Sequence, residues 1–334
     1  MIAMNWKEVT GHEKIKEQIR NMIKARQFPN AVIFSGAEGI GKRKVAEITA
    51  MALLCENENA PCGNCDSCRA FIKNSHSDFY LLEPDRTKAN PIIKIEQVRE
   101  LQREVAMMPV MSNSRTVLID DAEYMNGASQ NCLLKTLEEP TGLTKFILIT
   151  SKMSRLLMTI RSRCMIINFE RLSEEEIIKV LEEQNIENAK KISLISNGSL
   201  GQAIKLAQNE GLQIREDVLN FLESLIKMNV EDIFSRGKEL SSKSKEYFRE
   251  WIINLQKILR DILITGTKTE KKYYYNRDIT ERLAVIKENY SDAMIFSMLK
   301  ETAETERRLN SNMTLQLLME SYFMRMKKET AKEE

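Results

Sequence analysis

Four groups of residues in this chain have the types and spacing to do chemistry. The first is Gly36-Ala37-Glu38-Gly39-Ile40-Gly41-Lys42, which has the Gly, four residues, Gly-Lys spacing of a phosphate loop. Its glycines let backbone N–H groups close around phosphate oxygens, and Lys42 brings a mobile positive charge. The next residue is Arg43, where a Ser or Thr hydroxyl would ligate magnesium. A guanidinium cannot ligate a cation. The expectation is a loop that can hold ATP through Gly36, Gly39, Gly41 and Lys42 but hydrolyses it poorly or not at all.

The second group closes two apolar runs. Asp120 and Asp121 follow Val117-Leu118-Ile119, as a magnesium-holding aspartate and a water-polarising acid do at a strand end opposite a phosphate loop. Asp121 is one methylene shorter than the Glu usual there, which puts its reach in doubt. Thr150, at the end of Phe146–Thr150, is placed to offer a hydroxyl to a γ-phosphate, and a helix cap explains it equally well.

The third group is Cys55, Cys62, Cys65 and Cys68, a C-x6-C-x2-C-x2-C cluster turned by Gly63-Asn64. Four thiolates satisfy tetrahedral Zn²⁺ and leave no open position, so the metal read from this spacing is structural zinc. An iron–sulfur cluster is the alternative, and nothing else in the chain suggests redox work. Cys132 and Cys164 stand apart and read as small core residues; His12 and His76 read as surface or capping residues. The fourth group is Arg161-Ser162-Arg163-Cys164. An arginine pair is ordinarily solvated surface, but one following a sensor strand is where a finger, Arg161 or Arg163, reaches a neighbour's nucleotide.

These residues need elements to position them. From Trp6 to Asn168, Val-, Ile- and Phe-rich runs alternate with helical patterns, which predicts a parallel sheet covered by helices. Strands are expected at Ala31–Ser35, Asp78–Leu82, Arg115–Asp120 and Lys145–Thr150, with helices at Lys42–Leu54, Ile95–Val105 and Ala128–Glu138. Beyond Phe169 the strand signals stop, and Ser173 followed by Glu174, Glu175 and Glu176 opens a helix. Lys243–Ile264 reads as a long amphipathic helix, and the charged tail from Lys327 reads as frayed. Breaks near residues 168–172 and 208–212 divide the chain into domains of 1–170, 171–208 and 209–334, with a zinc module at about 55–68 inserted in the first.

At 334 residues the chain is long enough for two or three cores. Fifty basic against 48 acidic residues, a net charge of +2, argue against general electrostatic attraction to nucleic acid. No signal-peptide core and no apolar run of about 18 residues is found, so the expectation is a soluble, cytoplasmic protein with no membrane partner.

Taken together, these residues resemble the bacterial clamp-loader subunits of the AAA+ class. The likeness is carried by Thr10-Gly11-His12-Glu13, the phosphate loop, the four cysteines after its helix, the phrase Asn131 to Pro140 (NCLLKTLEEP), Ser162-Arg163-Cys164, and Asn310-Ser311-Asn312-Met313-Thr314-Leu315-Gln316-Leu317 near the C-terminus. It implies an N-terminal AAA+ α/β domain, a small helical lid and a helical collar. Within the class, Arg43, and Gly201 where the motor subunits have a sensor arginine, point to the non-hydrolysing delta-prime branch of DNA polymerase III rather than gamma or tau. That branch implies a hetero-pentamer with gamma/tau and delta, a sliding clamp and primed DNA as partners reached through the complex, and Arg163 serving the neighbour's ATP. No ATPase or polymerase activity of the chain's own is expected. The competing readings are an active gamma-like ATPase motor that tolerates Arg43, and a zinc-stabilised adaptor that binds nucleic acid directly.

Overall fold

A computed structural model of the chain describes residues 4–86, 91–138, 144–208, 211–265, 267, 270–309 and 314–330. These residues form two compact units: 1–180 with 198–201, and 181–197 with 202–334.

The first unit follows the predicted alternation. In chain order it contains α1 (Glu13–Lys24), β1 (Ala31–Ser35), α2 (Lys42–Leu54), α3 (Asp66–Ile72), β2 (Phe79–Leu82), α4 (Ile95–Val105), β3 (Arg115–Ile119), α5 (Gly127–Glu138), β4 (Thr144–Thr150), α6 (Met158–Arg161), β5 (Met165–Asn168) and the first turns of α7 (Glu174–Glu183). All five strands are parallel, in the order β2-β3-β4-β1-β5. β1, β3 and β4 are buried almost throughout, with apolar centres, because helices cover both faces. Successive side chains go to opposite faces: Val32, Phe34, Leu118, Ile147 and Ile149 pack with α1 and α2, while Ile33, Val117, Ile119, Phe146 and Leu148 pack with α4 and α5. In register, Ser35 lies beside both Thr150 and Asn168, so the loop after β1 emerges at the C-terminal edge between β4 and β5. That edge is where open parallel sheets place their ligands.

Two expectations needed revision. The edge strand β5 was not anticipated: Met165-Ile166-Ile167 is an apolar run, but the strand is only four residues long and mostly exposed, which leaves a weak pattern. The tail is not frayed at Lys327, which lies within the last helix, Leu315–Thr330, and whose ammonium donates to Leu225 O at 3.3 Å and to Ile226 O. Ser173 does cap α7, accepting from Glu176 N at 3.2 Å while its own N–H donates to Glu176 Oε2 at 2.8 Å. Parts of two sequence phrases, Glu139-Pro140 and residues 310–313, lie outside the described residues.

The second unit is helical: the end of α7, α8 (Ala189–Ser196), most of α9 (Leu200–Gln208), α10 (Gly211–Leu225), α11 (Val230–Ser241), α12 (Lys245–Ile264), α13 (Thr280–Lys287), α14 (Asp292–Arg308) and α15 (Leu315–Thr330). Its core is built on Phe221, Phe248, Trp251, Tyr322 and Phe323. One buried polar cluster fixes the segment before α13: Asp261 accepts from Tyr275 N at 3.1 Å, Asn276 N at 2.7 Å and Asn276 Nδ2 at 2.8 Å. Arg215 completes it, pairing with Asp278 and donating from Nε to Asn276 Oδ1.

Candidate functional site

The phosphate loop lies where the sequence requires, between β1 and α2, and Gly41 caps α2 at φ +100°, a left-handed position that a side chain would strain. Lys42 is buried, and its ammonium donates to two carbonyls of its own loop, Gly36 O at 2.8 Å and Ala37 O at 2.6 Å. Burial lowers the Lys42 ammonium below its ordinary value, offset in part by Glu123, Asp121, Asp120 and Glu38. The group that would meet phosphate is thus engaged within the loop.

Arg43 does more than remove a hydroxyl. Its guanidinium reaches Asp120 Oδ2 at 2.8 Å and Glu83 Oε2 at 2.7 Å, and its Nε donates to Glu47 Oε1 at 3.0 Å. Burial opposes the charge, but Glu47, Glu83 and Asp120 together hold the guanidinium protonated above its ordinary value. The cation beside the strand-end aspartate is therefore supplied by the chain itself.

Asp121 is left-handed at φ +50° and takes an ion pair from Arg86. Burial and then the neighbouring Asp120 push its carboxyl up to about 6, with Arg86 pulling the other way. Thr150 is fully buried, and its Oγ1 accepts from Lys152 N at 3.1 Å. Beside it, Ser151 donates from N and Oγ to Glu123 Oε1 at 3.0 and 2.6 Å. Despite burial, those donors hold the Glu123 carboxyl below its ordinary range. Glu123 escaped the sequence reading; a third acid so close to Asp120-Asp121 was the available signal.

Two other contacts clasp the loop. Gly201 N donates to Gly39 O at 2.8 Å and Ser199 Oγ to Glu38 O at 2.9 Å. A Cβ on Gly201 would stand 3.0 Å from Gly39 Cα and 3.2 Å from Gly39 O, so any side chain here requires the Gly39 backbone to give by a few tenths of an ångström. His12, read as a surface or capping residue, is half-buried at the α1 cap position; its Nε2 lies 2.7 Å from Ile40 O and its ring is edge-on to Phe169. Donation by Nε2–H to that carbonyl braces the loop from the other side.

The two arginines stand apart from this cluster. Arg163 pairs with Glu138 Oε1 at 2.5 Å and donates to Thr159 O at 2.9 Å. Arg161 ends α6 with its guanidinium near Met158 Sδ at 3.9 Å. Cys132 donates to Gln102 Oε1 at 3.1 Å, and burial pushes the Cys164 thiol up to about 12, as befits residues without a ligand role.

The four clustered cysteines converge. Their Sγ atoms lie within 4.8 Å of one another, with Cys55–Cys65 and Cys62–Cys68 both at 3.9 Å. A tetrahedral ion with bonds of about 2.3 Å separates its sulfurs by about 3.8 Å, so the set fits a metal ion. Cys65 N donates to Cys62 Sγ and Cys68 N to Cys65 Sγ, each at 3.4 Å, the stabilisation that thiolates need. Burial raises the Cys68 and Cys55 thiols, while the Asn64 and Cys65 amides overcome burial at Cys62 and bring it to about 6.

Comparison with known proteins places this arrangement. A family model described as DNA polymerase III, delta subunit, matches residues 11–173. The chain is 28% identical over 326 residues to the DNA polymerase III subunit delta' of Bacillus subtilis, covering 96% of this chain and 97% of that one. Against the delta' subunit of Pseudomonas aeruginosa it is 34% identical over 210 residues, covering 61% and 63%. Among solved structures, a DNA polymerase III gamma subunit-related protein from Thermotoga maritima matches 94% of this chain and 99% of its own at 17% identity and a TM-score of 0.42, a likeness too loose to carry an argument.

Proposed function

We propose, on the premise that the chain belongs to the family of DNA polymerase III delta-prime clamp-loader subunits, that it works in replication as a ring member that does not turn over nucleotide itself. The observation that carries this reading is the Arg43 guanidinium 2.8 Å from Asp120, a fixed positive charge where hydrolysis would need a metal ion. Lys42 turned onto Gly36 and Ala37, and the Gly39–Gly201 clasp, support it. ATP, if it binds, would meet Gly36, Gly39, Gly41 and Lys42, with Asp120, Asp121 and Thr150 alongside. The division into a nucleotide-binding-like domain (1–170), a lid (171–208) and a collar (209–334) belongs to the same reading.

On this proposal the partners are gamma/tau and delta in a five-part ring, with the sliding clamp and primed DNA engaged through the complex. Arg163 would serve a neighbour's ATP, leaving Glu138 to do so, and Arg161 is the second choice. Zinc is the metal we assign to Cys55, Cys62, Cys65 and Cys68, because a closed set of four thiolates suits a structural d¹⁰ ion. It would supply folding energy to a short module, not chemistry.

Reconstituting the loader with Arg163→Ala tests the finger. Clamp-dependent ATPase should fall by a factor of about 10³ or more at the adjoining site, with the variant's own thermal unfolding unchanged. Parental ATPase rates from that complex would sink the assignment.

A further inference from the structure

Next to the metal module lies a loop with an unusual surface. Between α4 and β3, Met107, Met108 and Val110 are 64%, 81% and 82% exposed. Loops on the surface are ordinarily more mobile than the elements they connect. Here the backbone is held from beneath. Asp78 is fully buried and accepts from Val110 N at 2.8 Å, Met111 N at 2.7 Å and Ser112 N at 2.8 Å. Arg115, also buried, donates to Glu104 O at 2.5 Å, Met107 O at 2.8 Å and Met108 O at 3.0 Å.

The same scaffold continues into the cysteine module. Asp78 N donates to His76 Nδ1 at 3.1 Å, which puts the ring proton on Nε2. Nε2 then faces Ser67 Oγ at 2.8 Å and Ser112 Oγ at 3.2 Å, and both hydroxyls reach Leu54 O, at 2.8 and 3.1 Å. With Nδ1 already accepting, His76 cannot serve as a base toward Ser67, so this trio is a strut and not a nucleophile. Ser67 sits between Cys65 and Cys68 in the sequence, in the first turn of α3. Asn113 Nδ2 adds a bond to Glu56 Oε1 at 3.1 Å, beside Cys55.

We propose that the metal module sets the order of the apolar loop. A metal ion held by Cys55, Cys62, Cys65 and Cys68 fixes α3, Ser67 passes that constraint to His76 and Ser112, and Asp78 passes it to the amides of 110–112. The inference rests on the reading of the cysteines as a metal site. Loss of the ion frees Ser67 first and the loop next, while the sheet stays closed.

Amide hydrogen exchange on the full chain tests this, before and after removal of the metal by chelator and reductant, with metal content measured throughout. Exchange at Val110, Met111 and Ser112 should rise about tenfold or more on removal, while amides of β3 and β4 keep their protection. Ser67→Ala with metal retained should raise exchange at the same three amides. Linkage requires the reverse effect too: Asp78→Asn should hold the metal several-fold more weakly than the parent, measured at equilibrium by competition with a chromogenic chelator. A chain that neither carries nor takes up metal would overturn the metal reading and the coupling with it. Metal that leaves without change at 110–112, or a metal-loaded Ser67→Ala variant with parental exchange there, would overturn the coupling alone.

Discussion

Replacing Arg43 by Ser would return a hydroxyl to the position after Lys42 and remove the cation that now faces Asp120. At 2.8 Å two unit charges attract by about 1.5 kcal/mol in water and about 6 kcal/mol at an effective dielectric of about 20. The Arg43 side chain is 43% exposed and that of Asp120 only 8%, so screening and side-chain ordering leave a net of about 1 to 2 kcal/mol. Magnesium carried in with a nucleotide must displace this guanidinium before it can meet Asp120. Each 1.4 kcal/mol or so is a factor of about ten, so Arg43→Ser should tighten magnesium-nucleotide binding by about tenfold. Calorimetric titration of parent and variant with ATP, in magnesium and in chelator, reads this directly. The parent should respond little to magnesium and the variant should respond strongly. If magnesium alters nucleotide affinity equally in both, or in neither, the guanidinium is not the barrier and the reasoning fails.

Gly201→Arg should not create a working sensor, because its Cβ would press on the Gly39 backbone; a loss of about 1 to 3 kcal/mol in denaturant unfolding and no gain in ATP affinity are expected. Asp121 has its folded-state pKa raised to about 6, so the folded state holds more protons than the unfolded one between about pH 4 and 6, and its charge costs stability as pH rises through that window. Asp121→Asn, which also suits the left-handed backbone, should therefore gain about 1 to 2 kcal/mol at pH 7 and less at pH 4.5, measured by denaturant unfolding at both. Asp261→Ala would strand Tyr275 N, Asn276 N and Asn276 Nδ2 in the interior of the second unit, with a loss of about 3 kcal/mol or more in the same assay.

What the sequence disclosed follows from the range of the interactions involved. The cysteine cluster was legible because its ligands fall within fourteen consecutive positions, and the strands β1, β3 and β4 because burial on both faces gives each an unbroken apolar centre. Arg43 was legible as a missing hydroxyl but not as a replacement cation, since its partner Asp120 is 77 positions away. Gly201 read as a lost arginine; that it is also a close backbone approach depends on Gly39, in a distant segment. His12 and His76 each occur singly, without spacing to interpret, and both are structural braces. Glu123 was hidden because two acids before it already satisfied the motif.

The first unit is discontinuous in sequence, since it takes back Gly198–Gly201 after the chain has left it. Modularity by truncation is therefore misleading here. A fragment ended at residue 180 would keep every residue of the phosphate-loop motif yet lose the donors to Glu38 O and Gly39 O. Its nucleotide affinity would be that of an unlatched loop, and an ATP-binding result from such a piece would describe a state the whole chain does not occupy.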